Sequence, residues 1–129
     1  MLTPYEVAVK TVIPAIRSMI VREMYVNYGL KQKEIAELLS ITQAVVSYYL
    51  SHSRGKVANL YENEDVISAV KDVTKHIIDK RPSQFEVAEI IIKLTDEFMR
   101  KGYLCKYHKI LEPDIIEEEC HLCEETADK

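Results

Sequence analysis

The 129 residues carry 17 Lys and Arg against 21 Asp and Glu, a formal net charge of −4, and 47% of them are hydrophobic. That composition excludes disorder throughout and suits one compact domain, or a small domain with an appendage. No apolar run approaches the roughly 18–20 residues of a membrane-spanning helix and no signal peptide opens the chain, so a cytoplasmic protein without a membrane partner is expected.

Charge is unevenly spread. Residues 1–60 hold seven Lys and Arg against four Glu, whereas residues 61–129 hold ten against seventeen acids. A basic front end and an acidic back end follow, and the basic end is the one suited to nucleic acid. Glycine and proline are scarce, and apolar residues recur mostly at helical spacing, so the chain reads as all-α. In "TPYE", Thr3 is an N-cap, Pro4 the first helical residue and Glu6 the return partner of a capping box. Val7, Val9 and Val12 continue the helix toward Pro14, where a kink or a new start is expected. Beyond it Ile16, Ile20, Met24 and Tyr28 share one face, and Gly29 is the stop.

Next comes "QKEIAELLSITQAVVSYYLSHSRGK". Ile35, Ala36, Leu38 and Leu39 form the inner face of a short helix, with Ala36 small enough for a second helix to cross closely. Ser40-Ile41 is a turn that drops Ile41 into the core, and Thr42 caps a helix whose Val46 and Leu50 face inward. Gln43, Ala44, Ser47 and Tyr48 are then left outward, where a recognition helix meets base edges in the major groove. Gln suits adenine, Ala a thymine methyl, and Ser can donate or accept. Gln32 is placed for a phosphate, and Arg54 and Lys56 for the backbone beyond the second helix.

These residues, from Gln32 and Ala36 through "ITQAVVSYYL" to "SRGK", resemble the lambda-repressor-like (XRE-type) helix-turn-helix. More narrowly, residues 1–56 resemble archaeal predicted transcriptional regulators, some of which carry a thiamine-phosphate-binding domain that this chain lacks. The resemblance implies a DNA-binding regulator. Ser40 departs from the glycine usual in that turn, at a cost of about 1 kcal/mol if it must be left-handed.

After a break near Asn59–Asn63, Val66, Val70, Val73 and Ile77 make an apolar stripe that ends at Arg81-Pro82. Ser83 caps the next helix with Glu86 as reciprocal partner; Phe85, Ala88, Ile91, Ile92, Thr95 and Met99 are its expected buried face, and Gly102 closes it. The expected organisation is a helix-turn-helix domain over 1–60, a helical connector and dimerisation region over 61–103, and a Cys/His module over 104–129.

That last module holds all three cysteines, Cys105, Cys120 and Cys123. Three cannot all pair within one chain, and thiolates in a reducing compartment suit them better. Cys105-x-x-His108 and Cys120-x-x-Cys123 form two knuckles joined by eleven residues, a Cys3His set for tetrahedral zinc. An iron–sulfur cluster is the alternative, and His121 a substitute for His108. The surrounding segment is too polar to bury much, so a bound metal would give it a reason to fold. An acidic helix is expected to start near Pro113, docked by Ile115 and Ile116.

The leading expectation is a sequence-specific transcription regulator acting as a homodimer on double-stranded DNA. A protein-interaction adaptor with a zinc knuckle and a dithiol redox protein using Cys120 and Cys123 are the alternatives. With no Ser-His-Asp arrangement, phosphate-cradling glycine loop or carboxylate pair, an enzyme is not expected.

Overall fold

A computed structural model describes residues 2–51 and 60–113. All regular elements among the described residues are helical. The capping box forms as expected and opens α1 (Pro4–Lys10). Glu6 N–H donates to Thr3 Oγ1 at 3.3 Å and Thr3 N–H to Glu6 Oε1 at 3.2 Å. The break before Pro14 falls at Thr11, whose φ of −128° and ψ of −73° are not helical, and α2 (Val12–Arg22) starts one residue later. Pro14 therefore lies in the first turn of α2, where its missing N–H has no helical acceptor to lose.

α2 runs into a π-helical segment, Glu23–Asn27. The wider turn explains one departure from expectation. The row Ile16, Ile20, Met24 is buried, but Tyr28 is exposed, because the π turn rotates the residues after Met24 off the α-helical phase. Gly29, at φ 66°, then reverses the chain, with Leu30 N–H bonded to Met24 C=O.

α3 (Gln32–Leu39) and α4 (Gln43–Ser51) pack against each other, and α4 also lies on α2. α3 ends in a Schellman arrangement: Ser40 sits at φ 55°, ψ 42°, Ile41 N–H bonds Ala36 C=O, and Ser40 N–H bonds Glu37 C=O. Serine thus takes the left-handed position that glycine would take without strain. Ile41 is half-buried rather than sunk in the core.

A 3-10 turn, Leu60–Glu62, leads into α5 (Glu64–Lys80), which buries Val66, Val70, Thr74 and Ile77 and leaves Val73 half-buried. Thr74 sits in this row because its hydroxyl donates to Val70 C=O at 2.7 Å, which removes the penalty of an unpaired buried group. α6 (Gln84–Arg100) starts as expected, with Ser83 Oγ accepting from Glu86 N–H; the returning carboxylate meets the Ser83 hydroxyl. Its buried face is Val87, Ile91, Leu94, Thr95, Phe98 and Met99. The sequence carries two overlapping apolar rows here. The structure buries the one holding Val87, Leu94 and Phe98, and leaves Phe85 78% and Ile92 59% exposed.

Gly102, at φ 78°, ends α6 with the same Schellman pair, Tyr103 to Phe98 and Gly102 to Met99. The last described helix, α7 (Cys105–Leu111), lies beside α1. Buried side chains from Val7 to Tyr107 form one connected core. No described helix is long and apolar enough to cross a membrane.

Candidate functional site

α4 is nine residues long, carries no charged side chain, and buries only Val46 completely. Its cap is the expected one: Thr42 Oγ1 accepts from Val45 N–H at 3.2 Å. Tyr49 and Leu50 are half-buried on the inner side with Val46. Gln43, Ala44, Ser47 and Tyr48 are all exposed, and their spacing puts them on one helical face. The far end of α4 is held from α2, where Arg22 Nη2 donates to Leu50 C=O at 2.9 Å. That bond ties the last described turn of α4 to α2.

The sequence had no signal for Arg22, whose partner lies 28 residues away. Gln32 is half-buried in the first turn of α3, flanked by the exposed Lys31 and Lys33. Arg54 and Lys56, expected to reach the DNA backbone, lie outside the described residues. What the described surface offers is a polar, uncharged helix face with one aromatic, Tyr48, and lysines at the start of the preceding helix. Such a face suits hydrogen bonding and apolar contact with base edges.

The second cluster is at α7. Cys105 and His108 were expected in a tight knuckle, but both lie in the helix, three residues apart and so on one face. Burial of Leu104 and Tyr107, also three apart, explains the helix: docking that pair stabilises it more than an open turn would. Cys105 is half-buried and His108 only 4% exposed. His108 Nε2 lies 3.0 Å from Glu112 Oε1, an oxygen that also accepts from Leu2 N–H.

The Leu2 amide first, and then His108, hold the Glu112 carboxyl below its ordinary range. An ionised Glu112 only accepts, so Nε2–H is the donor of this bond. Glu112 stands four residues after His108, an i,i+4 spacing the sequence displays but which the metal reading passed over. Among the described residues no group of three or more His, Cys, Asp and Glu converges to hold a metal. Cys120, Cys123 and His121 lie outside the described residues, as do Ile115, Ile116 and the expected acidic helix.

A third polar cluster ties the helices after the turn. Asp65 Oδ2 accepts from Lys101 Nζ and from the Tyr103 hydroxyl, each at 2.7 Å, joining the start of α5 to the end of α6. Lys101, then Tyr103, hold the Asp65 carboxyl low, and Asp65, then Glu97, raise Lys101 above its ordinary value. Lys106 pairs with Glu62 and fastens α7 to the 3-10 turn. These links are structural.

Comparison with protein-family models, with curated proteins and with solved structures found no match.

Proposed function

We propose that this chain is a sequence-specific DNA-binding transcription regulator of the lambda-repressor-like kind, in which α3, the turn at Ser40 and α4 form the reading unit. The observation that carries the reading is the exposed row Gln43, Ala44, Ser47 and Tyr48 on a helix that buries one residue and is capped and held at both ends. Gln43 bonds an adenine edge, Ala44 and Tyr48 supply apolar contact, and Ser47 donates or accepts. Gln32 with Lys31 and Lys33, and Arg54 with Lys56, meet phosphates and supply affinity without sequence preference.

Such readers act on paired half-sites, so the proposed form is a homodimer. The exposed row Phe85, Ala88 and Ile92 on α6 supports it. Pairing two copies about the small Ala88 sets Phe85 of one against Ile92 of the other. Selection from a random double-stranded library is the test. A two-fold symmetric motif is expected; no enrichment over input contradicts DNA reading, and a single unrepeated half-site contradicts the dimer.

The same proposal assigns Cys105, His108, Cys120 and Cys123 to one zinc ion. The chemistry of the described pair fits: a thiol and an imidazole share a helix face, and Glu112 orients the ring as carboxylates orient zinc-bound histidines. Zinc would supply a closed tetrahedral clasp for the C-terminal residues. Metal analysis should give one zinc per chain, lost in Cys105→Ser. Iron with sulfide would replace zinc by a cluster, and no metal would end the assignment.

A further inference from the structure

Between the π segment and α5 lies a partly open cleft of about 260 Å³ that the DNA reading does not use. Arg22, Glu23 and Val26 line one wall; Ile67, Val70 and Lys71 line the other. Glu23, Val26 and Asn27 of its lining belong to the π turn. π turns are rare and gather at functional sites, and this one leaves Val26, an apolar residue on the rim, 68% exposed. Glu23 is engaged locally, its Oε2 accepting from Asn27 Nδ2 at 2.7 Å. Arg22 lines the cleft while its Nη2 bonds Leu50 C=O.

The charges on the walls are two cations, Arg22 and Lys71, and one carboxylate, Glu23. That excess favours a monoanion and disfavours a dianion such as phosphate. A guanidinium matches the two oxygens of a carboxylate, and the apolar side chains of Met19, Ile67 and Val70 accept a small hydrocarbon body. The volume holds roughly ten non-hydrogen atoms, below the range of drug-sized pockets.

We infer that this cleft is an effector site for a small organic monocarboxylate, gripped by Arg22 and Lys71 with its apolar part on α5. Arg22 is also the residue that holds the end of α4. A carboxylate on its guanidinium changes that hold on Leu50, and so changes how α4 is presented to DNA. This second step rests on the DNA reading; the site itself does not.

The test is an amide-resolved NMR titration of the whole protein at fixed ionic strength with isovalerate, benzoate and phenylacetate, using benzamide as uncharged control. At least one carboxylate should saturate, shifting amides around Val26 and Lys71, with no response to benzamide. Lys71 is exposed, so Lys71→Glu keeps the fold, and it should weaken binding at least tenfold. No saturable carboxylate binding, equal binding of benzamide, or unchanged affinity in Lys71→Glu overturns the site. DNA affinity should change at least threefold at saturating carboxylate; an unchanged value overturns the coupling. If the carboxylate binds and no DNA sequence is selected, the DNA reading fails and the cleft assignment stands.

Discussion

α4 and α6 are both helices capped by a hydroxyl, yet they are held in opposite ways. α6 is seventeen residues long and buries six side chains along its length, Phe98 among the most deeply. α4 is nine residues long and fully buries one, while Val45 and Tyr48 stand in solvent. A helix this short does not persist in water on propensity alone. α4 persists because Thr42 starts it, Arg22 holds its end, and Val46, Tyr49 and Leu50 anchor one side. α6 exists to build the core; α4 is displayed by the core. The exposed residues of α4 are the ones the proposed DNA reading uses, and the energetics of the two helices should separate cleanly.

The largest separation is expected from truncation. Phe98→Ala should cost about 3–5 kcal/mol in denaturant unfolding, through lost burial and the cavity left behind. Tyr48→Ala on α4 should stay within about 0.5 kcal/mol. Comparable costs for the two would erase the contrast between core strut and displayed helix. Thr42→Ala should then cost about 1 kcal/mol by removing the acceptor for Val45 N–H, with the loss confined to hydrogen-exchange protection of α4. Uniform loss across α6 would show that the two helices unfold as one.

Smaller again is Ser40→Gly. Relief of the left-handed serine is partly offset by the greater freedom of glycine in the unfolded chain, so stability should rise by about 0.5 kcal/mol. A fall would mean that the turn is not strained as its φ indicates.

The smallest effect is on the α5–α6 tie. The Asp65 carboxyl is depressed by Lys101 first and by Tyr103 next, so its contribution is complete above the ordinary value of 3.8 and disappears as pH falls through its lower folded-state value. Lys101 is raised, so its contribution is complete below its ordinary 10.5 and disappears only as pH rises beyond it. Asp65→Asn should therefore lower thermal stability slightly across that plateau, and the gap to the parent protein should narrow as pH falls below 3.8. A gap that persists unchanged in acid would assign the effect to packing instead.

Legibility in the sequence followed the range of the forces. Caps and stops were plain because they are decided within four residues: Thr3 with Glu6, Thr42, Ser83 and Gly102 all act as their types predict. The outward row of α4 was equally plain, since Val46 and Leu50 fix the phase of a short helix. α6 misled because it has more apolar residues than one face can take, and only its neighbours decide which row is buried. The π turn, which throws Tyr28 out of the core, leaves no local signature. Arg22 and Glu112 were missed for different reasons: one acts across 28 residues, the other at a spacing that the C-x-x-H pattern overshadowed.

The central claim is that α4 reads bases. The direct measurement is a competition titration at fixed salt, comparing the selected duplex with unrelated duplex for the parent protein and Gln43→Ala. On the proposed reading, the exposed Gln43 would make one bidentate base contact, worth about 1–3 kcal/mol of discrimination. Gln43→Ala should then lose roughly fivefold or more on the selected duplex, with unrelated-duplex affinity unchanged within about twofold. Equal losses on both duplexes would contradict it.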